Sequence, residues 1–329
     1  MSEQLRVLMI TSEWPTPDHP HSVPFLVQQV EFLRHAGVQV DVFHFRGAKR
    51  PLNYLRAWKR LRQKLLGQSY DLVHAQFGQS ALLTWPNRLP LVVTFRGCDL
   101  QGVRRANGRI TMAGLILQYL CRIVALRAQA VILVSRRMQR LIPAAVRAVV
   151  IPTGLDLELI PRMSQTEARR QLGLQDSGPL VLFVGNPADT VKRYELAESA
   201  VRVLNQVYQA KLIVGWGMPR RDILLLMNAC DALVLTSIQE GSPNVIKEAL
   251  ACDLPVVSVD VGDVAEHIQS IPGCKLCPDN RPETIAACLE EVLRRGRRIK
   301  GWERVQQLDE RILTQKIVGI YQSVLNTNH

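Results

Sequence analysis

Short apolar runs recur along the chain, and most are followed by stretches whose apolar residues fall three and four positions apart. Residues 5–11, 38–44, 72–76, 91–95, 130–134 and 148–151 form the first series of runs. They show little alternation of apolar and polar residues, as expected of strands covered on both faces. Helices are predicted at 25–36, ended by Gly37, across the basic region 46–64, and at 110–129. The pattern loosens over 156–179. It then resumes with strands at 180–184, 211–214, 232–235 and 255–259 and helices at 195–208, 221–229 and 243–251. A last helix over 308–325 carries Ile312, Ile317, Ile320, Tyr321 and Val324 on one face. Strands alternating with helices predict an α/β fold with doubly wound parallel sheets. The loosened stretch places a hinge near 155–165, and 329 residues are enough for two domains.

Charge changes this picture more than composition does. The net charge is +12, but residues 1–150 hold 21 Lys or Arg against 7 Asp or Glu, while the remainder holds 20 against 22. Such a one-sided field suggests an anionic partner for the first half. The segment 46–64 mixes its cations with Leu52, Tyr54, Leu55, Trp58 and Leu61, the pattern of a basic surface helix. Arg104, Arg105, Arg109, Arg122 and Arg127 surround a second apolar stretch. An anionic membrane surface is the expected partner of this half. A nucleic-acid partner is not expected, because no basic motif interleaved with aromatic residues is present. The start of the chain has no secretory pattern, and no run is apolar enough to span a bilayer. Seven scattered Cys fit a reducing compartment, and Cys274 and Cys277 read as packed residues rather than a metal or redox pair. The expected location is cytoplasmic, with peripheral contact at the inner face of the membrane.

The most informative segment is EGSPNVIKEALA at 240–251, followed by LPVVSVDVGDVAE. Glu240 and Glu248 bracket a Gly-Ser-Pro-Asn turn and the start of a helix, directly after a buried strand. In an open α/β sheet, ligands lie beyond the carboxyl ends of strands, where helix N-termini present N–H groups to anions. Gly241 allows close backbone approach and Pro243 suits a first helical turn. The segment 180–197, LVLFVGNPADTVKRYELA, places Lys192 and Arg193 beyond another strand, as cations for a diphosphate.

Together these segments resemble the signature of retaining glycosyltransferase family four, within a group of bacterial surface-polysaccharide enzymes of the teichuronic acid type. The resemblance implies the GT-B fold: two Rossmann-like domains facing each other across a cleft, with a C-terminal helix that crosses back to the first. It implies an acceptor-binding domain over 1–158 plus the helix 308–329, and a nucleotide-sugar domain over 159–307. By the same resemblance, Glu240, Gly241 and Ser242 meet the donor sugar, and Glu248 meets the ribose. Lys192, Arg193, Gly185, Asn244 and Val245 meet the diphosphate. The expected reaction moves a hexosyl unit from a nucleoside diphosphate sugar, UDP in preference to GDP, to a lipid-linked or polysaccharide acceptor. No metal or other cofactor is expected.

Four places depart from the family pattern, one of them Thr153-Gly154-Leu155-Asp156 where relatives read Asn-Gly-Val-Asp. Arg96 stands where relatives carry His in the loop 94–99. An Arg cannot act as a base at neutral pH, so it is a candidate clamp for a donor or acceptor phosphate. Arg96 and the cleft-lining Asp99 are expected beside Glu240 among the catalytic residues. Asn186 replaces the usual Arg after Gly185. The segment between Lys211 and Asp231 is short, which leaves Trp216 and Gly217 as candidates to meet the base. Glu13 is a further candidate at the end of the first strand, whereas His74 reads as a packed strand residue. These departures leave open a sugar-nucleotide-binding protein that has lost catalysis. A basic nucleic-acid-binding protein and an epimerase of the same fold stay open beside it.

Overall fold

The structure is a computed structural model that describes residues 4–17, 22–47, 50–86, 88–105, 108–175 and 178–327 of the chain. It divides into two compact units. One comprises Met1–Val103, Ile110–Gly154 and Glu310–His329, the other Arg104–Arg109 and Leu155–Asp309. The cut at Gly154 falls four residues before the expected boundary at 158. Leu155 belongs to the second unit because its N–H donates to Leu308 O at 2.9 Å and its side chain is fully buried in that core. Residues 48, 49, 106 and 107 of the two basic segments, and 328 and 329 of the last helix, lie outside the described residues.

The first unit contains β1 (Arg6–Thr11), α1 (Pro24–His35), β2 (Gln39–His44), α2 (Pro51–Gly67), β3 (Leu72–Gln76), α3 (Gly78–Ala81) and β4 (Leu91–Phe95). After these come α4 (Cys98–Gln101), α5 (Met112–Arg127), β5 (Ala130–Leu133) and β6 (Ala148–Val150). All its strand pairs are parallel, in the order β2-β1-β3-β4-β5-β6. Side chains alternate across the sheet with period two. Leu8, Ile10, Val73, Val93, Val131 and Leu133 face α2 and α5, whose Ala57, Leu61, Cys121, Val124 and Ala125 are buried there. Val7, Met9, Leu72, Val92 and Ile132 face the opposite layer, beginning with Leu26, Val30 and Leu33 of α1. The basic helix expected from residue 46 starts at Pro51, whose fixed φ suits a first helical position. The helix expected from 110 starts at Met112, where the Thr111 hydroxyl accepts from the Gly114 N–H at 3.0 Å.

The second unit contains α6 (Gln165–Leu172), β7 (Leu180–Val184), α7 (Tyr194–Leu204), β8 (Lys211–Gly215), α8 (Arg220–Ala229), β9 (Ala232–Leu235) and α9 (Asn244–Ala251). It continues with β10 (Val256–Ser258), α10 (Val264–Ile268), β11 (Lys275–Leu276), α11 (Pro282–Arg295) and α12 (Trp302–Val305). This sheet is also parallel, in the order β11-β10-β9-β7-β8. Helix α7 stops four residues short of its expected end. The Asn205 side chain there closes a loop through the Ala210 N–H and C=O at 2.8 and 2.9 Å. Cys274 and Cys277 flank β11, and both are buried in the core.

After α12 the chain returns to the first unit as α13 (Glu310–Asn326). Leu313, Ile317, Tyr321 and Val324, four and three positions apart, complete the core of the α1 layer. Buried His74 in β3 sits between the Tyr321 hydroxyl, 2.6 Å from Nδ1, and the Thr94 hydroxyl, 2.7 Å from Nε2. Burial, with a smaller contribution from the Arg96 charge, holds the imidazole pKa down at about 3, so the ring is neutral. Tyr321→Ala should therefore destabilise the first unit by about 3–5 kcal/mol, and Tyr321→Phe by about 1–3 kcal/mol through the stranded His74 nitrogen. Urea unfolding of the two variants checks this. Equal midpoints for Tyr321→Phe and the parent chain would remove the hydrogen bond from the argument.

Candidate active site

In the second unit β7 lies between β8 and β9, and the chain leaves it first toward one edge and later toward the other. The loops that follow β7 and β9 therefore diverge, which opens a crevice at their carboxyl ends. Lys192, on the loop after β7, reaches across to Glu240, on the loop after β9, with Nζ 2.6 Å from Oε1. Both side chains are partly buried, Glu240 the more so. Gly185 makes room for this reach. Its φ is +151°, and a Cβ there would lie 3.3 Å from Lys192 Cγ. On the far side of Glu240, Gly262 has φ +56°, and a Cβ would come within 2.9 Å of Gly241 O. A side chain at Gly262 would press on the loop backbone, and one at Gly185 would crowd the Lys192 stem.

The two loops are also tied through their backbones. The Ile238 N–H donates to Val191 O at 2.8 Å, and the Thr236 hydroxyl lies 2.9 and 3.0 Å from the carbonyls of Lys192 and Arg193. Arg193 takes the left-handed conformation at φ +52°, uncommon for a residue with a side chain. Its guanidinium donates to Thr236 O at 2.5 Å and to Asn280 Oδ1 at 2.8 Å. The arrangement corrects the expectation that Arg193 is a second diphosphate cation. Arg193 clamps the loop after β9, and its donors face protein carbonyls.

Ser242 donates its hydroxyl to Asp263 Oδ2 at 2.6 Å, and His267 Nε2 lies 3.1 Å from the same oxygen. Lys247, fully buried in α9, donates to Asn244 Oδ1 at 3.1 Å. Burial alone would raise the Asp263 pKa. The bond to His267, the charges of His267 and Lys247 and the Ser242 hydroxyl together bring it below the usual aspartate value. The Ser242 and Asn244 side chains thus hold the turn at the start of α9. Glu248 meets a partner that the sequence did not suggest. Arg220 of α8 approaches Oε1 at 3.0 Å through Nε and at 2.9 Å through Nη2. Arg220 follows the turn that carries Trp216, 57% exposed, and Gly217, at φ +70°. Asn186 uses its side chain for its own turn, accepting from the Ala188 N–H at 2.9 Å.

In the first unit the loop candidates take architectural positions. The fully buried Asp99 carboxylate accepts from the N–H groups of Gly97 and Leu100 at 2.9 and 3.0 Å, and from Gly78 and Arg96 at 3.1 and 3.2 Å. Burial still outweighs these four bonds and raises its pKa. Arg96 donates to Gln76 at 3.0 Å and to Gln29 and Thr153 at 3.1 Å, and it lies over the Phe25 ring at 4.7 Å. Burial lowers its pKa to about 10, against the opposing pull of Glu310 and Asp99, so it stays a cation. Neither side chain is presented as a free acid, base or phosphate clamp, which corrects the catalytic expectation for both. This sheet's own reversal lies between β1 and β3. There Gln79 donates to the Ser12 hydroxyl at 3.1 Å, and burial raises the pKa of the adjacent Glu13.

Comparison with known proteins follows the same division. Residues 2–159 match the Glycosyltransferase Family 4 model, and residues 181–295 match the Glycosyl transferases group 1 model. The chain carries glycosyltransferase family 4 and group 1 domains. A teichuronic acid biosynthesis glycosyltransferase, TuaC of Bacillus subtilis, is 28% identical over 225 residues, 59% of this chain and 54% of that protein. The D-inositol 3-phosphate glycosyltransferase of Geodermatophilus obscurus is 28% identical over 202 residues, covering 48% and 45%. The chain thus spans about half the length of the curated relatives it matches. Among solved structures, sucrose-phosphate synthase from Thermosynechococcus elongatus superposes with a TM-score of 0.82 at 18% identity, covering 98% of this chain and 100% of that one. Anabaena Alr3699/HepE, solved with UDP-glucose, gives 0.63 at 20% identity, covering 98% and 99%. These likenesses establish the GT-B type of fold. Lys192, Glu240 and Glu248 lie within the stretch matched by the group 1 model, and Arg96 and Asp99 within the stretch matched by the family 4 model.

The Asp263 cluster makes a pH-dependent contribution of definite sign. A carboxylate whose folded pKa is depressed stabilises the fold above its unfolded pKa, about 3.9. That contribution is lost as pH falls through the folded value. The melting-temperature gap between the parent chain and Asp263→Asn should therefore narrow as pH drops from about 5 to about 2. A gap that widens toward acid would reverse the assignment.

Proposed function

We propose that the chain transfers a hexosyl unit from a nucleoside diphosphate sugar to a polysaccharide acceptor with retention of configuration, and that its second unit binds the donor. The observation that carries this reading is the Lys192–Glu240 pair, set where the sheet order reverses. Without a donor each side chain neutralises the other. A diphosphate entering between the two loops competes for the Lys192 ammonium, which releases the Glu240 carboxylate to accept hydroxyl hydrogens from the sugar. Gly185 and Gly241 keep backbone close to the ligand, and the N–H groups of Asn244 and Val245 at the start of α9 face its phosphate oxygens. Glu248, oriented by Arg220, takes the ribose hydroxyls, and Trp216 with Gly217 offers a surface for the base. UDP is preferred to GDP, on the fold shared with a protein solved with UDP-glucose.

In this reading no covalent sugar intermediate forms, and the acceptor attacks from the face from which the leaving group departs. The leaving phosphate accepts the acceptor's proton, while Lys192 and the helix N–H groups stabilise the charge that develops on it. The acceptor belongs to the first unit, at the reversal marked by Ser12, Glu13 and Gln79. The Arg96 and Asp99 network fixes the neighbouring loops in place. A lipid-linked acceptor fits the likeness to a teichuronic acid biosynthesis enzyme. It would also hold the protein at the inner face of a cell membrane.

UDP should raise the melting temperature, and Lys192→Ala should weaken that binding by about 1.5–3 kcal/mol, roughly tenfold to a hundredfold. Glu240→Gln should retain UDP binding and lose turnover of UDP-sugar with extracted lipid acceptors. A Glu240→Gln protein of normal activity would remove the residue from the reaction. Donor binding without transfer by the parent chain would leave a binding protein in its place.

A further inference from the structure

Helix α5 has an unusual distribution of apolar residues. Its inward face buries Gly114, Cys121, Val124 and Ala125, yet the outward face is apolar too. Met112, Leu115, Ile116, Tyr119 and Leu126 are between 46% and 73% exposed. Their spacing of three, four and seven positions puts them in one stripe along the helix. Arg122 and Arg127, both exposed, border the stripe on either side. A helix that is apolar all round is normally covered, and a contiguous exposed apolar face marks a contact surface.

We propose that the outward face of α5 is where this protein docks on an anionic lipid surface, with the apolar stripe entering the headgroup boundary and arginines meeting the phosphates. Charge decides the occupant. Residues 110–154 contain six Arg and no Asp or Glu, and a short 3₁₀ segment, Arg136–Leu141, carries exposed Arg136, Arg137 and Arg140 soon after β5. Arg122 Nε donates to Leu141 O at 3.0 Å, which brings the end of that segment beside α5. An isologous contact with a second copy would set the net positive charge of this segment against itself. Anionic headgroups complement it, and a tyrosine within the stripe suits an interface that is apolar on one side and wet on the other. Among the described residues no helix is long and apolar enough to cross a membrane, so the contact is superficial.

Helix α2 carries the other basic segment, and several of its cations face their own fold, as Arg127 of α5 does over the Trp85 ring at 5.3 Å. Arg62 donates to Thr84 O and Pro86 O at 2.8 and 2.5 Å, Arg60 lies over the Phe43 ring, and Lys64 bonds Gln68. Helix α2 covers the same side of the sheet as α5 and exposes Leu52, Leu55 and Leu66. It widens the surface without supplying its centre.

Co-sedimentation with vesicles of phosphatidylglycerol and phosphatidylcholine, without donor or acceptor, tests the surface apart from the transfer reaction. The parent chain should bind these vesicles, lose binding as salt rises, and ignore phosphatidylcholine alone. Ile116→Glu/Tyr119→Glu should lower the bound fraction at least about tenfold, while Val207→Glu, at an exposed apolar position of the second unit, should leave it unchanged. Circular dichroism checks the fold, and Ile116→Ser/Tyr119→Ser replaces the acidic pair if that pair misfolds. Absence of vesicle binding by the parent chain, or equal binding by the folded variants, overturns the proposal. So does a dimer that the variants dissociate without any vesicle binding, which would make this face an interface between copies.

Discussion

The second unit is organised around one contact made at the place where its sheet changes direction. Strands β7 and β9 are neighbours whose loops must part, and Lys192 bridges the opening to Glu240. The bridge depends on several residues that play no direct part in it. Gly185 and Gly262 keep both sides of it open, Arg193 and Thr236 fasten the loops beneath it, and Ser242 with Asp263 fixes the turn that follows. An ammonium and a carboxylate held this way neutralise each other.

The first unit uses its polar residues differently. Asp99 accepts four backbone N–H bonds, Arg96 is surrounded by Gln29, Gln76 and Thr153, and His74 is held neutral between two hydroxyls. Buried polar groups with all their bonds made define a single loop arrangement. Exposed arginines are instead gathered near α5. The same domain therefore presents a rigid set of loops at the strand ends and an apolar, cationic helix face on one side of the sheet.

Parallel sheets, the strand positions and the packed roles of His74, Cys274 and Cys277 were legible in the sequence, because burial leaves a local trace in apolar runs. The segments 180–197 and 240–263 pointed to the chemistry for a related reason: glycine and proline at loop ends and charged residues just beyond them reflect backbone constraints that act over a few residues. Helix ends were less legible. They depend on single bonds such as those of Asn205 and Thr111, which compete with an apolar pattern that runs on past them.

Side-chain partners were not legible at all where they come from distant elements. Lys192 and Arg193 are adjacent and equally cationic, yet one faces Glu240 and the other faces carbonyls, because the left-handed backbone at Arg193 redirects its side chain. Arg220 meets Glu248 across 28 positions, and the outward turn of α5 is invisible in a helix apolar on every side. The order of apolar and polar residues determined the elements and the class of fold, since hydrogen bonding and burial act along the chain. Which charged groups pair, and which apolar face stays uncovered, was decided by packing between elements far apart in sequence, where only three-dimensional proximity sets the interaction.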